Sequence, residues 1–224
     1  EGDSVAAGSC PQEEVITRTW TGTDDCDNAS SCEQIVTVVD DEAPAITCPG
    51  NVTVNCEEDR TSANTGVATA TDNCDNEIDI IEGDSVAAGS CPQEEVITRS
   101  WTGTDDCGNA SSCDQIVTVI DDEAPAITCP ADTTVNCEED RTSAATGAAT
   151  ATDNCDNEVT ITESDSVAAG TCPQEEVITR TWTGTDDCGN ASSCDQAVTV
   201  IDDEAPAITC PADTTVNCVP GAGA

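Results

Sequence analysis

The sequence of 224 residues contains no histidine, lysine, methionine, tyrosine or phenylalanine. Without imidazole or amine side chains, a catalytic site would have only carboxylates, hydroxyls and thiols, so no enzyme is expected. Five arginines stand against 46 acidic residues, which gives a formal net charge of -41. Because nucleic-acid binding depends on basic side chains and aromatic stacking, this composition excludes a nucleic-acid partner. An anionic membrane surface would repel the chain for the same reason.

Long apolar runs are also missing, since none reaches the roughly 18 residues that a membrane span requires. No membrane insertion is therefore expected. The hydrophobic fraction is 37% and its only aromatic residues are three tryptophans, which predicts several small cores rather than one large core. Seventeen cysteines approach the density of a disulfide scaffold, and such scaffolds persist only in oxidising compartments. The composition therefore predicts an extracellular or cell-surface protein.

The cysteines recur with a period of 81 residues, so that Cys10 returns as Cys91 and as Cys172. Near-identical tandem copies favour a structural polymer over three specialised domains. Because proline cannot lie in a central strand, the repeat boundary is placed at the segment Asp-Asp-Glu-Ala-Pro. This phase predicts four parts, which are the C-terminal half of a repeat at 1–41 (the half-repeat), a first complete repeat at 42–122, a second complete repeat at 123–203, and an N-terminal stub at 204–224.

Short β-branched segments separated by glycine, asparagine and aspartate make up each repeat. Their period-2 alternation predicts antiparallel strands, and no window has helical periodicity. Six or seven such strands in about 80 residues predict a small immunoglobulin-like β-sandwich, so the fold class is all-β in tandem, disulfide-stapled repeats. Trp101, on the penultimate strand, is expected to fill the core. The strands expected in the first complete repeat lie at 51–55, 67–71, 78–81, 95–101 and 115–120.

Three motifs carry a family resemblance. The motif APAITCP opens each repeat, ATDNCD lies in its middle, and TRTWTGTDDCGNASSC, at 179–194, is near its end. Together they resemble the hyalin repeat, an immunoglobulin-like extracellular module found in tandem in adhesive surface proteins, and especially its cysteine-rich version in bacterial secreted proteins. The resemblance covers essentially the whole chain. It implies an adhesive, extracellular setting and no shared catalytic site.

Six cysteines in each complete repeat allow 15 pairings, and the sequence does not choose among them. A bond between Cys48 and Cys113 matches the hyalin pattern, and the implied sandwich topology suggests two further pairs, Cys56 with Cys91 and Cys74 with Cys107. Zinc or iron–sulfur ligation is the alternative, but the close cysteine pairs are separated by five and seven residues and no histidine assists. The cysteines of the half-repeat, Cys10, Cys26 and Cys32, would have to pair with another chain or within a longer array.

Acidic residues cluster where repeats meet, in the linkers and in loops that should face them. Oxygen ligands in such numbers suit Ca²⁺, which accepts six to eight oxygens with tolerant geometry. The alternative is a solvated acidic surface that keeps a secreted protein soluble. The expected calcium ligands are Asp40, Asp41, Glu42, Asp72, Asp75, Asp105, Asp106, Asp121, Asp122, Glu123, Asp153, Asp156, Asp186 and Asp187.

These features predict a structural protein of an extracellular filament or stalk, built from calcium-rigidified repeats. The alternative is a cell-surface adhesin whose repeats bind a ligand on a host or neighbouring surface, which the sequence does not identify. The expected partner is the protein itself, joined head to tail. In that arrangement Cys210 would bond Cys32 of the next chain and Cys218 would bond its Cys10. The same contacts within one longer continuous chain remain an alternative.

Overall fold

A computed structural model of the protein describes residues 1–217. Strands dominate these residues, and each complete repeat adds one short helix. The strands are β1 (Gly2–Ala7), β2 (Glu14–Thr23), β3 (Ala29–Val38), β4 (Ala45–Thr47), β5 (Val52–Asn55), β6 (Thr69–Thr71), β7 (Asp79–Ala88), β8 (Glu95–Thr104), β9 (Ala110–Ile120), β10 (Ala126–Thr128), β11 (Thr133–Asn136), β12 (Thr150–Thr152), β13 (Thr160–Ala169), β14 (Glu176–Thr185) and β15 (Ala191–Ile201). The helices are α1 (Ser62–Thr65) and α2 (Ser143–Thr146).

Each complete repeat consists of a two-stranded and a four-stranded sheet. In the first complete repeat these are β4-β6 and β5-β9-β8-β7, and in the second they are β10-β12 and β11-β15-β14-β13. The half-repeat forms one three-stranded sheet in the order β1-β2-β3. The predicted all-β architecture of tandem, immunoglobulin-like repeats is therefore confirmed. The helices, which the sequence pattern did not predict, are single turns too short to show a helical period.

The second and last strands of each complete repeat pair in parallel, which corrects the expectation of purely antiparallel strands. Strand β5 pairs with β9, with Val52 opposite Val117 and Asn55 opposite Ile120. The two strands come from opposite ends of the repeat and run in the same direction. The remaining neighbours, β7 with β8 and β8 with β9, are antiparallel as predicted.

The chain divides into two compact units. One comprises residues 1–127, 151–161 and 184–192, and the other comprises 128–150, 162–183 and the residues from Ser193 onward. The core of the first unit contains Val54, Ile97, Val117 and Val119, and that of the second contains Ile178, Val198 and Val200. Trp101 is 5% exposed, so the prediction that it fills the core is confirmed. Small branched side chains thus supply most of the buried apolar volume.

A buried arginine in the first unit holds the short helix against the sheet. Arg99 is buried and donates two 2.8 Å hydrogen bonds, from Nε and Nη2, to the carboxylate of Asp84. Its remaining donors reach the Thr65 hydroxyl in α1 and the Arg60 carbonyl oxygen. The hydrogen bonds from Arg99 keep the pKa of Asp84 below its ordinary value. The arginine therefore satisfies several acceptors that the single-turn helix and its flank would otherwise leave unpaired.

The disulfides differ in part from the expected pairs. Cys48 bonds Cys113, as predicted, and the equivalent bond joins Cys129 to Cys194. The predicted pairs Cys56–Cys91 and Cys74–Cys107 are wrong. The observed bonds connect successive repeats instead, at separations of 97 to 99 residues, and they are Cys10–Cys107, Cys56–Cys155 and Cys91–Cys188.

The bonds between repeats have two further consequences. Because Cys10 is bonded to Cys107, it is not available to Cys218 of another chain, and that expectation is wrong; Cys218 itself lies outside the described residues. Within residues 1–217 the cysteines without a disulfide partner are Cys26, Cys32, Cys74, Cys137, Cys172 and Cys210. Each of them is an 81-residue equivalent of a cysteine that is bonded in the structure.

The burial of the tryptophans predicts unequal effects of two matched substitutions. We expect Trp101→Ala to destabilise the protein by about 3–5 kcal/mol, because it empties a packed core position. Trp20→Ala, at the equivalent position of the half-repeat, should cost much less in a dilute monomeric sample, because Trp20 is 44% exposed. Urea unfolding of both variants measures this difference. Equal losses would contradict the described packing.

Candidate metal centre

Three aspartates converge on one point in the first unit, each from the end of a strand. Asp40 follows β3 in the linker, Asp72 directly follows β6, and Asp105 directly follows β8. A ligand at a strand end is held by the sheet while its side chain extends beyond the last ladder hydrogen bond. Three strands that terminate near each other therefore bring together residues far apart in sequence.

The carboxylates of Asp40, Asp72 and Asp105 each offer an oxygen atom, and these atoms lie within 4.8 Å of one another. Asp40 is 6% exposed and Asp105 is 5% exposed. Neither carboxylate oxygen of Asp40 has a hydrogen-bond partner among the described residues. A buried carboxylate without a donor is costly, which is the main reason to regard this cluster as a ligand site.

The same arrangement recurs 81 residues later, again within the first unit. Asp121, Asp153 and Asp186 bring oxygen atoms within 4.8 Å of one another. Asp121 is 4% exposed and both of its carboxylate oxygens lack partners, as does Oδ2 of Asp153. The carboxylate oxygens of Asp40 and Asp121, at equivalent positions, both lack hydrogen-bond partners. These unpartnered oxygens are therefore a recurring feature of the repeat.

An asparagine positions each cluster. Asn109 donates from Nδ2 to Oδ2 of Asp105 at 2.9 Å and to the backbone carbonyl oxygen of Asp40 at 3.0 Å. Asn190 makes the same two bonds to Asp186 and to the carbonyl of Asp121. The linker aspartate is thereby fixed beside the loop that follows β8 or β14. These asparagines are not among the residues predicted from the sequence, although the spacing Asp-Asp-Cys-x-Asn recurs in every repeat.

The pKa values of the two linker aspartates, Asp40 and Asp121, reflect burial and repulsion between like charges. Burial raises the pKa of Asp121, and the neighbouring charges of Asp153 and Asp186 raise it further. Burial also raises the pKa of Asp40, and the negative charges of Asp72 and Asp105 raise it further. The carboxylates are held together in spite of this repulsion.

A hard divalent cation fits this donor set. The groups that converge are carboxylate oxygens from separate segments, with no histidine in the chain. Ca²⁺ prefers such ligands and tolerates irregular geometry, whereas Mg²⁺ demands near-octahedral coordination. When bound, a calcium ion would supply the positive charge that the unpartnered oxygens lack. Asp40, Asp72 and Asp105 would hold one ion, and Asp121, Asp153 and Asp186 a second.

The other acidic residues in the expected ligand set lie outside the two clusters. Asp75 and Asp156 are buried but already accept backbone hydrogen bonds from Asp106 and Asp187, respectively, at 2.9 Å. Asp122 accepts a hydrogen bond from Asn55, and Glu42 accepts one from Asn73. The remaining expected ligands are exposed, and they are Asp41, Asp106, Glu123 and Asp187.

A disulfide lies beside the second cluster. A carboxylate oxygen of Asp121 lies within 4.8 Å of the sulfur atoms of Cys56 and Cys155, which are bonded to each other. The equivalent cysteine at the first cluster, Cys74, has no disulfide partner. Burial raises the pKa of the Cys74 thiol, and the charges of Asp40 and Asp72 add to the shift. The candidate cation site and the cross-link Cys56–Cys155 therefore share one location.

Comparison with known families supports the resemblance seen in the motifs. The profile of a family described as "HYR-like domain with 4 cysteines" matches residues 44–119 and 125–200. The rat protein "Sushi, von Willebrand factor type A, EGF and pentraxin domain-containing protein 1" is 28% identical over 159 residues, and its mouse counterpart has the same identity. The match covers 70% of this chain but only 4% of those proteins. Because these relatives are mammalian, the comparisons do not support the bacterial setting implied by the resemblance.

Solved structures with low similarity include cadherin ectodomains. Drosophila N-cadherin EC1-4 is 16% identical with a TM-score of 0.37, over 85% of this chain and 58% of that one. Mouse cadherin-23 EC22-24 is 15% identical with a TM-score of 0.34, over 85% and 75%. These scores carry no argument about function.

The matched relatives are named for repeat domains rather than for an enzymatic activity. No helix among residues 1–217 is long and apolar enough to cross a membrane. Five disulfide bonds among residues 1–217 together with the HYR-like match identify an extracellular or cell-surface protein, since such bonds persist only in oxidising surroundings.

Removal of one buried charge should change the melting temperature in opposite directions with and without calcium. In chelator, Asp121→Asn should raise the melting temperature by about 2–4 °C, because it removes repulsion and a buried charge. In calcium the variant should lose the part of the stabilisation that an ion at its own cluster gives the wild type, and keep the part that comes from the cluster of Asp40. Differential scanning calorimetry measures both, with Glu57→Gln, an exposed acid, as the charge-matched control. A variant that is destabilised in chelator would contradict the description of the cluster.

The raised pKa values of Asp40 and Asp121 predict a pH dependence of known sign. The folded state holds these protons more tightly than the unfolded chain, so stability should fall as the pH rises from about 4 through the raised folded pKa. In chelator the protein should therefore melt at a higher temperature at pH 5 than at pH 7. In calcium the order should reverse, because protons compete with the ion. Thermal unfolding at both pH values provides the test.

Proposed function

Since the chain belongs to the family of HYR-like domains with 4 cysteines, we propose that it is a structural protein of an extracellular filament or cell-surface stalk. In this proposal calcium ions rigidify the boundaries between its repeats, and copies of the chain assemble head to tail. The chain spans a small part of the curated relatives that it matches, so the role is argued from its own residues.

The observation that carries the proposal is the origin of the ligands in each cluster. Asp121 belongs to the segment that follows the last strand of the first complete repeat, whereas Asp153 and Asp186 belong to loops of the second. A cation held by all three would restrain the linker against the loops of the following repeat. Without the cation, the unpartnered charges favour separation of the same residues.

Covalent bonds reinforce the same boundary. Cys56–Cys155 and Cys91–Cys188 each join the first complete repeat to the second. Two cross-links between successive repeats resist extension, because separation of the repeats would require reduction of both bonds. Such linkage suits a load-bearing protein and has no evident use in a catalyst.

The adhesin alternative requires a face that differs among repeats, because a ligand-binding unit generally needs loops unlike those of its neighbours. The repeats are instead nearly identical. Strands β2 and β14 have the same ten residues, EVITRTWTGT, and the sequence at 121–137 recurs unchanged at 202–218. This uniformity favours the structural role.

Protease sensitivity of the linkers tests the calcium part of the proposal. A protease that cleaves after glutamate should cut after the exposed linker residues Glu42 and Glu123 faster in chelator than in calcium, because the ion would hold the linkers in place. Cleavage after Glu82 and Glu163, which are exposed on strands away from the clusters, serves as the internal control. Mass spectrometry of the fragments gives the rates.

Two further results bear on the proposal. The double variant Asp40→Asn and Asp121→Asn should cleave at the fast rate in either condition. Elemental analysis of the wild type should find about two calcium ions per chain, one for each cluster. Absence of bound calcium together with unchanged linker cleavage would leave only the solvated-surface interpretation of the acidic residues.

A further inference from the structure

One disulfide of the first unit lies beside a buried carboxylate. An oxygen atom of Asp121 lies within 4.8 Å of the sulfur atoms of Cys56 and Cys155, which are bonded to each other. Asp121 is 4% exposed, and neither of its carboxylate oxygens has a hydrogen-bond partner among the described residues. The two sulfurs therefore adjoin a buried oxygen ligand that no donor satisfies.

The other disulfides among residues 1–217 have no such neighbour. No carboxylate oxygen forms a comparable group of three with the sulfurs of any other bonded pair in this part of the chain. Cys91–Cys188 also connects successive repeats, yet Sγ of Cys188 lies 3.5 Å from the amide oxygen of Gln93 instead. The buried carboxylate is therefore not a general consequence of cross-linking two repeats.

A second oxygen atom lies close to the same two sulfurs. Oδ1 of Asn55 is 3.0 Å from Sγ of Cys56 and 3.6 Å from Sγ of Cys155. Nδ2 of the same amide donates to Oδ1 of Asp122 at 3.0 Å, which holds the amide oxygen toward the sulfurs. Two sulfurs, one carboxylate oxygen and one amide oxygen make up four donors, the number that a tetrahedral metal site requires.

The spacing of these atoms suits a small thiophilic cation once the sulfurs are separated. With bonds of about 2.0–2.3 Å, the ligands of a tetrahedral Zn²⁺ stand about 3.3–3.8 Å apart. The distances from Asn55 to the sulfurs and the 4.8 Å limit for Asp121 are close to this range. The Cα atoms of Cys56 and Cys155 are 6.0 Å apart, so rotation of the two side chains can move the sulfurs apart.

We propose that reduction of Cys56–Cys155 opens a Zn²⁺ site formed by the two thiolates and Asp121, with the amide oxygen of Asn55 as the fourth ligand. Thiolates are soft ligands that select zinc over calcium, and only the thiolate form of cysteine is an effective metal ligand. The zinc site therefore exists only in the reduced protein. This inference goes beyond the proposed function and requires no bound calcium, although the candidate calcium cluster also uses Asp121.

The reductant in this proposal is a small-molecule dithiol. One thiolate of the dithiol attacks a sulfur of the disulfide and releases the other cysteine as a thiolate, and the second thiol then displaces the first cysteine. Two electrons pass from the dithiol to the cysteine pair, and the dithiol leaves as a cyclic disulfide. Zn²⁺ binds both cysteine thiolates, and the two protons of the dithiol pass to the solvent.

Bound zinc would preserve the connection between the repeats after reduction. Cys56 belongs to the first complete repeat and Cys155 to the second, so a sulfur–zinc–sulfur bridge joins the same two segments as the disulfide. The cation would also neutralise the two thiolates and the buried carboxylate of Asp121. The boundary is thus expected to stay closed on reduction when zinc is present and to loosen when zinc is absent.

Alkylation of the reduced full chain tests the proposal residue by residue. The protein is reduced with dithiothreitol, desalted without oxygen and treated with iodoacetamide, with or without Zn²⁺, and each cysteine is quantified by mass spectrometry. Zinc should slow the alkylation of Cys56 and Cys155 about tenfold, because a site occupied about nine-tenths of the time leaves its thiolates free for about one-tenth. Cys91 and Cys188 should react at unchanged rates. Equal protection of both pairs would overturn the proposal.

A matched pair of substitutions tests the role of the carboxylate. Asp121→Asn should weaken the zinc affinity measured by this protection by about 10–100-fold or more, since loss of even an outer partner of a metal ligand costs that much. Glu57→Gln removes the same charge from an exposed residue next to Cys56 and should leave the affinity unchanged. Undiminished protection in Asp121→Asn would overturn the assignment of the site.

Two further measurements make the test independent of folding and of calcium. Circular dichroism shows whether the reduced chain keeps its strands. Loss of the fold would overturn the proposal, because Asp121 and the two cysteines come together only in the folded protein. Zinc protection without calcium binding would support this site and remove only the proposed calcium, whereas calcium binding without zinc protection would overturn this site alone.

Discussion

Two groups of three aspartates lie close together in a chain whose net charge is -41, and one carboxylate in each group has neither solvent nor a hydrogen-bond donor. Burial and mutual repulsion oppose the ionised form of Asp40 and Asp121, as the raised pKa values show. The surrounding contacts must hold the carboxylates together against this mutual repulsion. Asn109 and Asn190 do so locally by binding the linker carbonyls and the loop carboxylates. The boundary between repeats thus concentrates like charges that a bound cation would neutralise.

Disulfides that connect successive repeats counter this repulsion with covalent bonds. Cys56–Cys155 lies beside Asp121, so the same few residues contain both a cross-link and a candidate cation site. By contrast, the bond between Cys48 and Cys113 fastens the ends of one repeat, where β5 pairs in parallel with β9. Stability within a repeat and cohesion between repeats therefore use different cysteines. In the half-repeat, by comparison, Trp20 is 44% exposed and Cys32 has no disulfide partner.

Local sequence patterns were sufficient for the repeat period, the all-β class and the buried position of Trp101, because alternation and spacing reflect which side of a strand meets a core. They also predicted a calcium site among the acids at the boundaries, and two groups of three of these aspartates lie close together in the structure. They did not separate Asp72 and Asp105, which converge on Asp40, from Asp75 and Asp106, which form backbone contacts or remain exposed. That distinction depends on where each strand ends and which direction the next loop takes, and both are set by packing of the sheets.

The chain's composition and its 81-residue period determined that this is a disulfide-stapled, extracellular β repeat protein. Net charge, cysteine content and the alternation of apolar and polar residues are properties of the chain itself, and they are the same in any arrangement of the repeats. Only the tertiary structure decided that Cys56 bonds Cys155 and that Cys107 bonds Cys10. In a periodic chain, a partner within the repeat and its equivalent one period away have the same neighbours in sequence, so local pattern cannot distinguish them. The choice is made by the distance between residues once the strands have paired, and this distance exists only in the folded protein.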